Sequence, residues 1–512
     1  MLKSVRPGKA LLWSILLVAL GFSAVASAQE APQVELDAGT VSGIAGEVVS
    51  FQGIPYAAPP VGELRWRAPA PVEPWDGVLE ATAFGPACMQ RGDIEMDEDC
   101  LFINVWAPAE ALESDESLPV LVWTFGGSFH SGSGNIDGAA LASKGAIVVS
   151  MNYRVSTMGF LAHPGLSAES LSQTSGNYGL LDVIQALRWT KTNIAAFGGD
   201  PERVTIWGLS SGASLITALM VSPLATDLFD QAILQSPGAM RSWNTLETAE
   251  QQGLALGEDI AALRALPASE IEHLRNVGGG SDFRALALPR VIGPALDGFV
   301  LPALEREAFE AGRANNVPLL IGNVTDEGGT FTRAYEISTV DDYKAYLSQD
   351  IIFGEAGDEA FALYPVGDAA EIPGAVAASF GDNQFVFGTR GVARAVSAAG
   401  LAVYRYRFTR PTEGGTGQAP GHGYDLDYAF GDAALQEPPY TDEDRALSET
   451  IMDAWLRFAA TGNPNGGDLQ EWPAYDSETE PVLVFDVETR IVNAPDTEKL
   501  DFMGERWANA QR

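Results

Sequence analysis

The sequence predicts an α/β protein built on a large, mostly parallel central sheet flanked by helices, with a small antiparallel sheet at its N-terminal end. Three observations carry this. From about residue 118, short runs rich in β-branched and aromatic residues recur: Val120-Leu121-Val122-Trp123, Ala146-Ile147-Val148-Val149-Ser150 and Val204-Thr205-Ile206-Trp207. Continuous apolar runs of this kind are what strands buried on both faces require. Helical stretches separate them, notably over 179–196, and strand-helix alternation implies a parallel sheet. Ahead of them, residues 33–54 alternate around Gly39, Gly43 and Gly46, the pattern of antiparallel strands.

The remaining elements follow in order. Residues 231–235, 317–322 and 402–408 read as further strands, and 442–460 as a late helix. Segments 245–310 and 340–395 are rich in helix signals and are expected to form insertions over the sheet. No repeat, low-complexity linker or domain break interrupts 29–512, so one domain is expected there.

Composition excludes several classes. Of 512 residues, 46% are hydrophobic and 19% charged, with 54 glycines and 30 prolines, which fits a globular chain and not a disordered or collagen-like one. The net charge is −37. A chain this acidic repels phosphate backbones, so no nucleic-acid partner is expected. Only six residues are lysine, and an acid-rich, lysine-poor surface bears on solubility rather than on chemistry.

Residues 1–28 read as a secretory signal peptide. Lys3, Arg6 and Lys9 form a basic leader, Ala10 to Val25 is mostly apolar, and Ala26-Ser27-Ala28 is a small-x-small cleavage site before Gln29. The apolar run falls short of the roughly 20 residues that span a bilayer. No stable membrane anchor is therefore expected after cleavage, and the mature chain is expected to be periplasmic or extracellular. Cys88 and Cys100 are the only cysteines, and export to an oxidising compartment favours their pairing.

The chemistry begins at Gly208-Leu209-Ser210-Ser211-Gly212, a G-x-S-x-G pattern. A strand, Val204 to Trp207, runs directly into it, and Ala213-Ser214-Leu215-Ile216 starts a helix. A sharp turn between them would lift the Ser210 hydroxyl above the sheet, with the helix N-terminus facing developing negative charge. A serine hydroxyl needs a base. The four histidines are His130, His163, His273 and His422. Where a G-x-S-x-G serine sits at such a turn, the acid and then the histidine follow the nucleophile, which excludes the first two. His273 lies on what reads as a solvated helix face. His422 sits in the glycine-rich loop Pro420-Gly421-His422-Gly423 after a strand, where a catalytic base belongs. Between them, the 317–322 strand leads into Asn323-Val324-Thr325-Asp326-Glu327, and Asp326 and Glu327 both qualify as the third member. The loop Phe125-Gly126-Gly127-Ser128-Phe129 follows an early strand and can offer backbone N–H groups to an oxyanion, with Ser211 supplying another.

Further segments carry a family resemblance: Phe51-Gln52-Gly53-Ile54-Pro55-Tyr56-Ala57, Pro59-Pro60-Val61-Gly62, Glu98-Asp99-Cys100-Leu101, Phe197-Gly198-Gly199-Asp200-Pro201, Leu234-Gln235-Ser236 and Thr461-Gly462-Asn463-Pro464. Over nearly the whole mature chain the sequence resembles the type-B carboxylesterase family, which includes the cholinesterases. Within that family it looks most like secreted bacterial members of the fumonisin-esterase kind. The resemblance implies an α/β-hydrolase fold. It also implies Ser210 as nucleophile, Glu327 as acid, His422 as base, and Gly127, Ser128 and Ser211 as oxyanion donors. Ser236 would support the triad from behind, and Cys88 and Cys100 would form a disulfide.

The expected activity is that of a serine carboxylesterase acting on a small-molecule ester through an acyl-enzyme, with no cofactor or metal. Two alternatives stand beside it. One is a catalytically silent binding module of the same family, against which the retention of Ser210, Glu327 and His422 argues. The other is the same mechanism applied to amide, thioester or lactone bonds. Three positions depart from the family pattern: Phe125 to Ser128 where His-Gly-Gly-Gly is usual, Leu209 in place of Glu, and Val183 in place of Gln.

Overall fold

The computed structural model describes residues 31–274 and 292–510. The proposed leader, and the middle of the 245–310 insertion, lie outside the described residues. Ten strands form the central sheet: β1 (Val48–Pro55), β2 (Phe102–Pro108), β3 (Leu118–Thr124), β4 (Ile147–Met151), β5 (Gly199–Leu209), β6 (Gln231–Gln235), β7 (Leu319–Val324), β8 (Val403–Phe408), β9 (Pro481–Phe485) and β10 (Arg490–Asn493). Their spatial order is β1-β2-β4-β3-β5-β6-β7-β8-β9-β10. Every pairing from β4 to β9 is parallel, and the strands at both ends are antiparallel. The apolar runs of β3, β4 and β6 are buried on both faces, as helix-covered parallel strands must be.

The small N-terminal sheet has three strands. Gln33–Glu35 pairs antiparallel with Thr40–Ser42, which then pairs in parallel with Val78–Glu80. The alternating segment does not end there. Its last part, β1, crosses to the edge of the central sheet, where Phe51 packs edge-on against Phe197 at 5.0 Å between ring centroids. Burying Val49, Phe51 and Ile54 in the main core outweighs the local hairpin pattern.

Helix α1 (Tyr178–Asn193) buries Leu180, Val183, Ile184 and Leu187, a 3.6-period stripe against the sheet. It stops at a short 3-10 turn and Gly198, which takes a left-handed φ of 82°. Asp182 on α1 forms a buried bidentate pair with Arg154 at 2.7 and 2.8 Å, tying α1 to the loop after β4. Helix α2 (Ser211–Met220) follows β5 directly. The 340–395 insertion contributes α3 (Ile372–Gly381) and α4 (Phe387–Ala398), joined by a π-helical segment at Asp382–Val386. Helix α5 (Asp442–Thr461) starts at a Thr441–Asp444 capping box and ends at Gly462. Cys88 and Cys100 are joined by a disulfide with an S–S distance of 2.06 Å. Among the described residues no helix is long and apolar enough to cross a membrane.

Candidate active site

Four loops at the carboxyl ends of β3, β5, β7 and β8 converge, the place where α/β sheets hold ligands. The turn after β5 is the sharpest. Ser210 adopts φ 58° and ψ −122°, a strained conformation for a residue with a side chain, while the next residue is already helical. Its N–H is anchored to the Gln235 carbonyl at 2.9 Å. The turn is crowded: a Cβ at Gly212 would lie 2.2 Å from the Thr124 carbonyl oxygen, and one at Gly126 would lie 2.6 Å from that of Leu209. Glycine at these two positions lets the β3 loop and the β5 turn touch backbone to backbone. Ser210 is 9% exposed.

Glu327, which is buried, sits after β7. Its Oε2 stands 2.5 Å from His422 Nδ1. Its Oε1 accepts from Ser236 Oγ at 2.6 Å, Asn323 Nδ2 at 3.0 Å and the Val324 N–H at 3.0 Å. Asp326, the rival candidate, turns away: its Oδ1 accepts the Gly329 N–H at 2.8 Å. The other imidazole nitrogen, Nε2, is buried and, among the described residues, has no hydrogen-bond partner. The His422 ring is clamped by Phe385 and Phe331, at centroid distances of 4.3 and 5.2 Å. Phe385 comes from the 340–395 insertion and Phe331 from the short helix Gly329–Thr332 just after Glu327, and no local sequence signal marks either. His273 lies on a short helix, Ala268–Leu274, far along the chain from these loops. His163 caps another helix through Nδ1, which accepts from the Gly165 N–H.

In the β3 loop Gly127, Ser128 and Phe129 all have positive φ, of 126°, 59° and 66°. Phe129 N–H donates to Ser211 Oγ at 3.2 Å, locking the loop onto the start of α2. Among the described residues the Gly127 and Ser128 N–H groups donate to no protein acceptor. Phe125, where the family pattern has His, stacks on Tyr153 at 4.1 Å, and Tyr153 OH donates to the Phe125 carbonyl at 2.7 Å. Phe129 also meets Phe160 and Trp243, at 5.7 and 5.9 Å, giving the site an aromatic wall. Leu209 lines the opposite flank, within 3.1 Å of where a Cβ at Gly423 would sit.

A further carboxyl lies behind the histidine. Asp425 is buried, and its Oδ2 accepts from Tyr406 OH at 2.7 Å. Burial pushes its pKa above the usual carboxylate range, and the nearby Glu327 charge adds to that. Among the described residues no group of three His, Cys, Asp or Glu side chains is placed to hold a metal ion.

A serine at a strained turn after β5, a glutamate after β7 and a histidine after β8 coincide with a sequence-wide match: residues 30–503 match the model of the carboxylesterase family. The chain is a member of the carboxylesterase family. The fumonisin B1 esterase of Sphingopyxis macrogoltabida is 40% identical over 495 residues, spanning 93% of this chain and 90% of that protein. The para-nitrobenzyl esterase of Bacillus subtilis (strain 168) is 36% identical, covering 88% of this chain and 94% of its own length. A solved PNB esterase structure superposes with a TM-score of 0.79 at 34% identity, covering 92% of this chain and 99% of that one. A thermophilic PNB esterase gives 0.80. The esterase is thus a serine hydrolase of carboxylic esters on an α/β-hydrolase fold.

Proposed function

We propose that Ser210, His422 and Glu327 are the nucleophile, base and acid of this esterase, in one catalytic unit spanning 29–512. The observation that carries the assignment is the 2.5 Å approach of Glu327 Oε2 to His422 Nδ1. With Nδ1–H donated to the carboxylate, the imidazole keeps its lone pair on Nε2, which has no hydrogen-bond partner among the described residues. Nε2 takes the Ser210 proton as Oγ attacks the ester carbonyl. The resulting oxyanion is held by the N–H groups of Gly127, Ser128 and Ser211. The imidazolium returns its proton to the leaving alcohol, and water then hydrolyses the acyl-enzyme. Glu327 stabilises the imidazolium, and Ser236 keeps the carboxylate turned toward it.

The substrates are small-molecule esters, and the relatives' names make p-nitrobenzyl esters and fumonisin B1 the first to try. The basic leader and the Cys88–Cys100 disulfide support export to an oxidising compartment, with cleavage after Ala28.

A fluorophosphonate probe and a series of p-nitrophenyl and p-nitrobenzyl esters test the assignment. Ser210→Ala should abolish labelling, and Ser210→Ala or His422→Ala should lower kcat by at least ~10³-fold, since triad members act as a unit. An active His422→Ala with an inactive His273→Ala would move the base elsewhere.

A further inference from the structure

One helical run reaches both the proposed acid and the proposed base. Gly328, next to Glu327, lies against α3: a Cβ there would come 1.9 Å from the Ala377 carbonyl oxygen. A Cβ at Gly381, the last residue of α3, would come 2.9 Å from the Cβ of Glu327. Further along the run, Phe385 packs on the His422 ring at 4.3 Å, with 34° between the planes. Positions 377, 381 and 385 thus form one stripe that meets the acid loop and then the base. Steps of four overshoot an α-helical turn and fall short of a π-helical one, so the passage from α3 into Asp382–Val386 returns position 385 to the line of 377.

The π-helical segment is pinned just ahead of Phe385. Asp382 Oδ2 accepts Tyr364 OH at 2.8 Å, and Gln384 Oε1 accepts an N–H of Arg241 from the segment after β6. Phe331 supports the cluster from the side, 5.6 Å from Phe385 and stacked on Phe380 at 5.5 Å. A π turn inside a helix is rare and is found mostly at functional positions.

The histidine needs such a support. It lies between Gly421 and Gly423, the latter with φ 83°, so its backbone is lightly constrained. Among the described residues its ring has one hydrogen bond, from Nδ1 to Glu327. A single hydrogen bond fixes a distance and leaves the ring able to tilt about it, and a tilt carries Nε2 away from Ser210. A fixed aromatic face removes that freedom. The negative face of the phenyl ring also favours the imidazolium that forms as Ser210 attacks.

We propose that Phe385 is a positioning residue for ester hydrolysis, acting through His422: it holds the imidazole plane so that Nε2 stays aimed at Ser210. The proposal rests on the triad assignment, and the test tells the two apart.

Phe385→Leu keeps an apolar side chain and removes the ring face. It should lower kcat for p-nitrophenyl acetate at least ~10-fold with KM within ~3-fold, since small misplacements of a reacting group are costly in rate. Phe353→Leu controls for lost packing: Phe353 is fully buried in the same insertion, 5.4 Å from the Phe502 ring, and its variant should keep kcat within ~3-fold. In a His422→Ala background, Phe385→Leu should change the residual rate by less than ~2-fold, because a residue that acts through the imidazole has nothing left to act on. One measurement needs no substitution: carbon–proton relaxation of the His422 ring in the wild-type enzyme should give an order parameter near ~0.85, as in rigid backbone. Unchanged kcat in Phe385→Leu, an equal loss in Phe353→Leu, an equal loss in the two backgrounds, or a ring order parameter below ~0.6 would each overturn the proposal. Full activity in His422→Ala would instead refute the triad assignment, and the proposal would fall with it.

Discussion

Asp326 and Gly421 face each other across a parallel backbone bridge, the Asp326 N–H donating to the Pro420 carbonyl at 3.0 Å. Each is one residue from a proposed triad member, Glu327 on one side and His422 on the other. The bridge is separate from the β7–β8 register, which ends at Val324 and Phe408, and it ties the loop after β7 to the loop after β8, so the carboxylate and the imidazole are set by backbone pairing as well as by their own 2.5 Å contact. It also separates the two acids: position 326 braces the loop, and position 327 points along it to the ring.

That division of labour is testable by exchanging charge for amide. Asp326→Asn keeps an oxygen able to accept the Gly329 N–H and should leave kcat/KM within ~3-fold, whereas Glu327→Gln presents the wrong group to Nδ1 and should lose ~10²–10⁴-fold. Steady-state kinetics on a p-nitrophenyl ester decide it. Equal losses in the two variants would show that the carboxylates share the role.

Ser128 carries a left-handed φ of 59°, a conformation that favours glycine. In the proposed oxyanion loop its N–H remains a donor, while its side chain would take up space beside a bound ester carbonyl. Ser128→Gly should therefore raise kcat/KM for a tertiary-alcohol acetate relative to p-nitrophenyl acetate. A looser loop would lower both rates, so the ratio isolates the crowding. An unchanged ratio would mean that the hydroxyl points away from the alcohol side.

Glu305 ties helix α2 to the segment after β6, accepting Thr217 Oγ1–H at 2.5 Å and the Met240 N–H. It is 1% exposed, and burial pushes its carboxyl up to about 7 from 4.5. The folded state thus holds the proton more tightly than the unfolded chain. Stability should be insensitive to this group below about pH 4.5, fall as pH rises toward 7, and level off above, by an upper bound of roughly 3 kcal/mol. Glu305→Gln should remove that component, so the wild-type-minus-variant difference in unfolding free energy should decline between pH 5 and 8. A constant difference across that range would refute it.

With Cys88 and Cys100 joined, protein isolated by export should show no titratable thiol after denaturation without reductant. Reduction should lower stability by about 3 kcal/mol on the chain-entropy account of a short closed loop. Two free thiols in the exported protein would contradict the bridge.

The segments legible in the sequence are those with a strong local cause. The strand over 231–235 needs no revision, and the helix expected at 442–460 ends one residue later. Both are runs whose apolar period or end signals leave little choice. The strand at Val48–Pro55 was legible as a strand, but its partner was not, because pairing is settled by which sheet buries Phe51 and Ile54 better. Strand β9 carries an apolar run, Pro481–Phe485, as long as that of β6, yet it is not among the strands expected from the sequence, whereas β10 is short and partly exposed, and its place comes from pairing onto β9.

By itself the sequence determined the α/β class, the strand-to-helix turn at Ser210, and the order of serine, acidic loop and histidine. Each rests on contacts between neighbours in the chain, where glycine placement and apolar period act directly. Residue spacing left Asp326 and Glu327 open and only the family resemblance pointed to Glu327; the tertiary structure turns Glu327 to His422, clamps the ring with Phe331 and Phe385, and pairs Asp425 with Tyr406 behind it. These contacts join residues brought together by sheet order and packing, and a side chain's direction in a loop is set by the register of its neighbours rather than by its own sequence.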